Sequence, residues 1–488
     1  MLELAKKLIN EGDFLGAVKA IEPHMEKYPN DPMGLFCFGQ IMLETDKQSI
    51  AYPIYRLGTT LEPKRPEMWI NMGKAAGELH FYEEERECFR KALKLAKDQN
   101  NLLAQKIATQ NLGTNAVHMS KPDSGIHWAK ESLKLEESRQ AHIDLGFCHL
   151  IKRNFKDGWK GYNYGLNFQK HRDIKQYDGE PEWDGSPGKR IIITGEQGLG
   201  DQIAFAGAVK DARKICKTVT LDVNPKLVNL FSRSFVSEVH GYGKDVNQDW
   251  AKDYDATVSM SRLQEYFRDN IDKFTGKPYL LADQFRRVQW RASLDSLGDK
   301  PKVGIAWTGG AQLTQRESRS TDLEKLLPIL KKDVTWISLE YKDRTEEIES
   351  FHKKHGIKIH NFPWATLTDD YDDTAALVAE LDLVIAVPTS VVHLAGALGI
   401  DCWCVLHPHP HFMFGLEGNS MPFYKSVELF RRKKDWEPLT MIGDKLDEMR
   451  SMYSSWSGTR RNLQGSSGVS KNSGVRQGAV FHDKCISC

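Results

Sequence analysis

The chain has 488 residues, 40% of them hydrophobic and 27% charged, enough for two to four packed domains. No apolar run approaches the roughly 20 residues of a membrane-spanning helix, and a formal net charge of +1 gives no electrostatic case for a nucleic acid or an anionic membrane as partner. Eight scattered cysteines read as reduced thiols, and the start Met1-Leu2-Glu3-Leu4-Ala5-Lys6-Lys7 lacks a secretory apolar core, so a cytoplasmic location is expected.

The first third repeats. Gly39, Gly73, Gly113 and Gly146 are separated by 34, 40 and 33 residues, and Ala17, Ala51, Glu85, Gly125 and Gly158 keep the same register. Pro29 and Pro63 punctuate helix ends, and a small residue in Leu35-x-x-x-Gly39 and Trp69-x-x-x-Gly73 lets a partner helix approach. This pattern resembles the tetratricopeptide repeat, with about 34 residues per helix pair. Four to five such repeats are expected over residues 1–168, with extra residues in a longer turn near Ser120–Ser124. Stacked repeats present a concave groove; it either holds a protein or peptide, or serves as a rigid spacer or dimer surface. Asn71, Asn111 and Asn115 are candidates to present amides inward.

Helical periodicity stops in the turn-rich stretch around Pro181 to Gly188, giving a linker over 169–188. Short apolar runs then alternate with helical stretches. Strands are expected at Ile191–Thr194, Val219–Val223, Ala256–Ser259, Val303–Trp307, Trp336–Leu339, Ile357–His360, Leu383–Val387 and Trp403–Leu406. Helices such as Gln202–Lys214 and Ala375–Leu381 lie between them. This alternation predicts parallel sheets with crossover helices. The break at Leu297-Gly298-Asp299-Lys300-Pro301 divides two Rossmann-like lobes, 189–298 and 299–453. The composition of 454–488 predicts a disordered tail. Cys485 and Cys488, with His482, fall one ligand short of a zinc site.

Two turns carry the chemistry. Gly195-Glu196-Gln197-Gly198-Leu199-Gly200-Asp201 follows the run Ile191–Ile193, and Pro388-Thr389-Ser390-Val391-Val392-His393 follows Leu383–Ala386. Each reads as strand, turn and helix start, where free N–H groups and the helix dipole favour an anion. Asp201 is placed either to take a proton from a nucleophile or to stabilise the first turn of its own helix. Gln197, Gly198 and Gly200 border the same turn, whose glycines permit close backbone approach. Thr308, Gly309 and Gly310 end another strand and offer N–H groups to phosphate. Arg316 and Arg319 follow as candidate cations, with Arg319 preferred. The run His407-Pro408-His409-Pro410-His411 invites a metal reading, but its prolines restrict the geometry.

These segments occur in order with Val303-Gly304-Ile305-Ala306-Trp307 and Asp373-Thr374-Ala375-Ala376-Leu377. Together they resemble bacterial tetratricopeptide-repeat proteins with a heptosyltransferase-like module, glycosyltransferase family 9 of the GT-B fold, over roughly residues 185–440. The resemblance implies an α-solenoid followed by two Rossmann-like lobes, the first holding the acceptor and the second the nucleotide sugar. It implies Asp201 as general base, and Thr389, Ser390 and His393 around the nucleotide diphosphate. Glu340 would hold the ribose, and Asp373 and Thr374 would border the base. No cofactor or catalytic metal is implied beyond the nucleotide-diphosphate sugar itself. Two positions depart from the family: Pro388 stands where an Asp is usual, and Phe412-Met413-Phe414 stands where related repeat proteins have Trp-Arg-Trp, so a cation is lost.

The expected function is transfer of a sugar from a nucleotide-diphosphate sugar to a hydroxyl of a glycan, lipid-linked saccharide or protein, the acceptor presented by the repeat groove. The alternatives are a non-catalytic repeat adaptor with a degenerate sugar-nucleotide module, and a viral-type nucleic-acid base glycosyltransferase.

Overall fold

The computed structural model describes residues 1–488 apart from 170–171, 178, 243–248, 311–318, 434–435 and 466–488, and the backbone alone of 453–465. Arg316, His482, Cys485 and Cys488 therefore lie outside the described residues.

The first 163 residues form five antiparallel helix pairs. These are α1 (Leu2–Asn10) with α2 (Phe14–Lys27), α3 (Pro32–Glu44) with α4 (Gln48–Leu61), α5 (Pro66–Glu78) with α6 (Tyr82–Asp98), α7 (Leu102–His118) with α8 (Pro122–Leu135), and α9 (Arg139–Ile151) with α10 (Phe155–Asn163). The side chains of Asp31, Asn101 and Ser138 cap their helices, and prolines open α3, α5 and α8. The repeating glycines do what their spacing predicts. A Cβ on Gly39 would lie 2.7 Å from the Tyr55 ring, one on Gly73 would lie 2.6 Å from Phe89, and one on Gly146 would strike the backbone of Gly161 and Tyr162. The predicted long turn at Ser120–Ser124 is absent. The extra residues instead lengthen α6 and α7, each of 17 residues against 13 in α3 and α5. Asn71 and Asn115 are spent within the solenoid, Asn71 donating to Tyr55 Oη and Asn115 to the Tyr82 carbonyl and Glu85.

A four-stranded parallel sheet follows, in order β3-β2-β1-β4, from β1 (Arg190–Thr194), β2 (Thr218–Val223), β3 (Val239–Gly241) and β4 (Ala256–Ser259). The single helix expected over 202–214 is two, α11 (Leu199–Phe205) and α12 (Val209–Ile215), joined by a 3-10 turn at Ala206–Ala208. Gly207 in that turn admits the Tyr279 ring, which a Cβ would approach to 3.1 Å. Helices α13 (Val228–Phe235), α14 (Arg262–Phe267) and α15 (Gln284–Asp295) complete this stretch.

The second sheet runs β10-β11-β9-β8-β5-β6-β7. Its strands are β5 (Lys302–Ala306), β6 (Thr335–Ser338), β7 (Ile359–His360), β8 (Leu383–Ala386), β9 (Cys402–Leu406), β10 (Ser420–Met421) and β11 (Tyr424–Arg431). Among the described residues only the β10–β11 pair of this sheet is antiparallel. The chain joins this rear lobe before the Leu297–Pro301 turn. The N–H groups of Tyr279 and Leu280 both donate to the Ala397 carbonyl, and Arg287 and Arg291 of α15 hold Glu380. The same segment also bonds to the front lobe, Leu281 N–H donating to Ser234 Oγ and the Tyr279 hydroxyl to the Ile203 carbonyl. The last helix, Pro438–Gly465, continues past 454, where the composition predicted a disordered tail, and it packs against the helix Leu323–Leu330.

Among the described residues four apolar clusters organise the molecule. Two lie within the repeats and one on one face of the rear sheet. The largest runs continuously from Leu150, Phe155, Trp159 and Tyr162 of the last helix pair through the front sheet to Val392 and Tyr424 of the rear lobe. The repeats are therefore built into the two-lobed body at their C-terminal end. Among the described residues no helix is long and apolar enough to cross a membrane.

Candidate functional site

The site lies where the carboxyl ends of β1 and β8 face each other, the usual ligand edge of open parallel sheets. The β1 turn carries Gln197 at φ +62, a left-handed conformation costly for a side-chain-bearing residue. Here the strain directs the chain into α11, whose first turn closes as Asp201 Oδ2 accepts the Gly198 N–H at 3.2 Å. Across the crevice, Thr389 caps the helix Ser390–Leu398, its Oγ1 accepting the Val391 N–H at 3.3 Å. The Tyr371 hydroxyl lies 3.1 Å from Ser390 Oγ. The two helix starts touch: a Cβ on Gly200 would lie 3.2 Å from both Ser390 Cα and His393 Cδ2. The sequence-predicted groups Gln197, Gly198, Gly200, Asp201, Thr389, Ser390 and His393 are thus brought together.

Arg319 closes the constellation, its Nη1 donating to the Pro388 carbonyl at 3.4 Å. Burial raises the Asp201 carboxyl, opposed by the Gly198 N–H and then by the charges of Arg319 and Arg172. Asp201 stands on the front lobe and Arg319 on the rear lobe, so the crevice places opposite charges within electrostatic reach of each other. His393 is pushed down to about 4 by burial and is neutral at pH 7. Its Nδ1 lies 3.4 Å from Tyr424 Oη, which is 3.2 Å from Tyr279 Oη, whose proton goes to the Ile203 carbonyl at 2.6 Å. This chain of hydroxyls ties the rear helix to the front one.

The remaining predicted residues are engaged differently. The N–H groups of Trp307 and Thr308 donate to Glu340 Oε1 at 2.7 and 2.8 Å, and Gly309 N–H donates to Ser320 Oγ at 2.9 Å. Thr308 and Gly309 therefore do not hold their N–H groups open for a phosphate. Gly310 gives its carbonyl to the Tyr341 hydroxyl. Glu340 is 2% exposed and braces the β5 turn through Oε1, while its buried Oε2 has no hydrogen bond and faces Arg344 Nε at 3.8 Å. Asp373 pairs with Arg286 at 2.8 Å, and Thr374 donates to the Ala365 carbonyl.

Sequence reasoning missed a buried group behind Asp201. Arg172 donates to the Tyr162 carbonyl at 2.7 Å, lies over the Tyr162 ring at 3.9 Å and approaches Glu196 Oε1 to 3.9 Å. Burial raises the Glu196 carboxyl, with Arg172 opposing. The Tyr162 hydroxyl in turn meets the Gln197 amide. Glu196 stands within the glycine-rich motif but was not among the residues the sequence singled out. Arg172 follows a featureless polar stretch, so no local signal marked it.

Fold and site together define a repeat-headed, two-lobed α/β protein: a tetratricopeptide-type solenoid joined to a GT-B-like pair of Rossmann lobes. Comparison with known proteins gives the following likenesses. The chain is 25% identical over 441 residues to protein FlbA of Caulobacter vibrioides, covering 84% of this chain and 72% of that protein. No family model matches. The crystal structure of MamA is 18% identical over 34% of this chain and 88% of its own, with a TM-score of 0.30. The type IV pilus biogenesis factor PilW is 20% identical over 33% and 73%, at 0.31. The family 9 glycosyl transferase of Veillonella parvula DSM 2008 is 14% identical over 55% and 93%, at 0.40.

Proposed function

We propose that the protein is a glycosyltransferase that moves a sugar from a nucleotide-diphosphate sugar to an acceptor hydroxyl. The observation that carries this reading is the meeting of two helix starts across the crevice, one closed by Asp201 and the other beside Arg319 on the Pro388 carbonyl. Attack of a hydroxyl on an anomeric carbon needs a base for its proton and a cation for the departing diphosphate. Asp201, held in the crevice by its own helix cap, is the base. The departing charge is met by Arg319 and by the N-terminus of the Ser390–Leu398 helix. A carboxyl raised by burial is a stronger base than a free one, and the charges of Arg319 and Arg172 favour its ionised form. Glu340 would meet a ribose hydroxyl through Oε2, which pairs with Arg344 in the resting site, while Thr308 and Gly309 shape the turn. The acceptor enters from the front lobe and the last repeat, in a cytoplasmic setting.

The test is Asp201→Asn. Nucleotide-sugar turnover, to an acceptor or to water, falls at least ~10²-fold, while nucleotide-sugar binding persists by calorimetry. Turnover retained in this variant would overturn the assignment of the base. Absence of nucleotide-sugar binding in the wild type would favour a plain repeat adaptor.

A further inference from the structure

The turn that leads to Asp201 is gripped from behind by the repeats. Gly195–Gly198 joins β1 to α11, and within it Gln197 stands at φ +62. Glycine adopts that conformation freely. A residue with a side chain holds it where its surroundings over-determine it, and here they do. Gln197 Nε2 donates to Tyr162 Oη at 2.8 Å, and Gln197 Oε1 lies 3.0 Å from the same hydroxyl. Tyr162 belongs to α10, the last repeat helix, and is 2% exposed.

Arg172 locks this grip. Its guanidinium is buried and lies 3.9 Å over the Tyr162 ring. Nη1 donates to the Tyr162 carbonyl at 2.7 Å, and Gly165 makes room for it, since a Cβ there would strike Nη1. Nη2 donates to Ser261 Oγ, between β4 and α14, at 3.4 Å, and approaches Glu196 Oε1 to 3.9 Å. Three successive residues of the turn are thus held: Glu196 by Arg172, Gln197 by Tyr162, and Gly198 by Asp201 itself through the 3.2 Å bond from its N–H. The buried charge pair is a poor source of stability. Arg172 Nε and Glu196 Oε2 have no hydrogen-bond partner among the described residues, and a contact of 3.9 Å is too long for a hydrogen bond. Charges buried on those terms recover little of their desolvation cost, and apolar side chains would pack a core better. What the pair supplies is direction: a planar fork and a carboxylate orient the backbone that carries them.

We propose that Arg172 is a positioning residue for Asp201: through Tyr162 and Glu196 it holds the Gln197 turn at the angle from which the carboxylate works. The end of the repeats then sets the geometry of the base without touching substrate. The inference rests on the transferase reading of the crevice. A reacting group displaced by about 1 Å can lose ~10²-fold in rate. The donor is held by the rear lobe, so its affinity does not follow the turn.

Two variants of the full chain test this. Tyr162→Phe keeps the ring and carbonyl that Arg172 holds and removes the hydroxyl on Gln197. Arg172→Lys keeps the charge and removes the planar fork. Hydrogen exchange by mass spectrometry is read on the peptide Gly195–Gln202, while turnover and calorimetric affinity are read with UDP-glucose, ADP-glucose and GDP-mannose. The expected result in both is faster exchange of that peptide, with β1 and β4 as protected as in the wild type. With it, kcat falls ~10- to 100-fold at unchanged donor affinity. A side chain that only filled the core would weaken protection and affinity across both lobes and leave kcat per folded molecule unmoved; that pattern overturns the proposal. Full kcat in either variant overturns it too, and in Arg172→Lys it would show that charge alone is used. If Arg172→Lys does not fold, Tyr162→Phe decides. A turn that exchanges no faster overturns the proposal without any substrate and leaves the transferase reading standing. If the wild type turns over none of the three sugars, the transferase reading and the catalytic role of the grip fall together.

Discussion

At the scale of single residues, Gly200 marks the tightest point of the site. A methyl group there would lie 3.2 Å from Ser390 Cα, a backbone atom that cannot swing aside, and 3.2 Å from the His393 ring. Gly200→Ala must push the two helix starts apart by a few tenths of an ångström. Overpacking of this kind costs about 1–3 kcal/mol. The expected outcome is a lower melting temperature together with a loss of nucleotide-sugar affinity larger than that of Gly443→Ala, in the last helix, where a Cβ would meet only the flexible end of Lys332. Equal affinity in the two variants would show that the contact of the helix starts does not shape the binding site. The glycine itself was legible in the sequence as part of a tight turn. Its partner was not, because Ser390 is 190 residues away and no local pattern encodes contact between lobes. The same limit explains Arg172 and Tyr162. It also explains the Thr308 N–H, which the buried Glu340 carboxylate just past β6 takes first, and the Gly309 N–H, which goes to Ser320.

At the scale of elements, the helix pairs and the central strands were legible because their signal is local. Glycine spacing fixed which repeat helices approach closely, and continuous apolar runs marked β1, β2, β4, β5, β6, β8 and β9. Strand β11 escaped because Tyr424–Arg431 mixes Lys, Ser, Glu and Arg among its apolar residues. The length of α6 and α7 escaped because spacing counts inserted residues without saying where they go. Those longer helices frame a buried polar inclusion. Asp144 of α9 is 2% exposed, accepts hydrogen bonds from Thr114 and Gln140 at 2.9 Å, and is pushed up to about 7 by burial. Its unfolded value is near the ordinary 3.8, so the folded state binds the extra proton between these values. Stability from this group is present below about pH 4 and is lost as pH rises toward 7. Asp144→Asn keeps the shape and removes the titration. Its melting temperature relative to wild type should be higher at pH 8 than at pH 5, as differential scanning calorimetry would read. A difference that does not change with pH would mean that Asp144 ionises in the fold as freely as in the unfolded chain.

At the scale of the whole molecule, the repeats and the lobes differ in how far a disturbance travels. Stacked repeats contact mainly their neighbours, and the apolar clusters of the first four pairs are separate from that of the body. The fifth pair is not separate. Trp159 of α10 is fully buried, donates its indole N–H to the Arg268 carbonyl at 2.8 Å, and meets Phe205 and Phe412 edge-on at 5.9 and 5.7 Å. One side chain of the solenoid thus touches both lobes beside the crevice. Replacing a buried Trp by Ala costs about 3–5 kcal/mol, and here the cavity would open between three bodies. Ile41 of α3 is equally buried but belongs to the first cluster. Hydrogen exchange followed by mass spectrometry distinguishes the two cases, because local opening reports which cooperative unit has been weakened. Trp159→Ala should speed exchange in α9, α10 and the strands β1 and β4 together. Ile41→Ala should speed exchange in α1 to α6 and leave the front sheet protected. If Trp159→Ala leaves β1 and β4 as slow as in the wild type, the last repeat is an attachment rather than a wall of the site, and a ligand held by the repeats has no rigid path to Asp201.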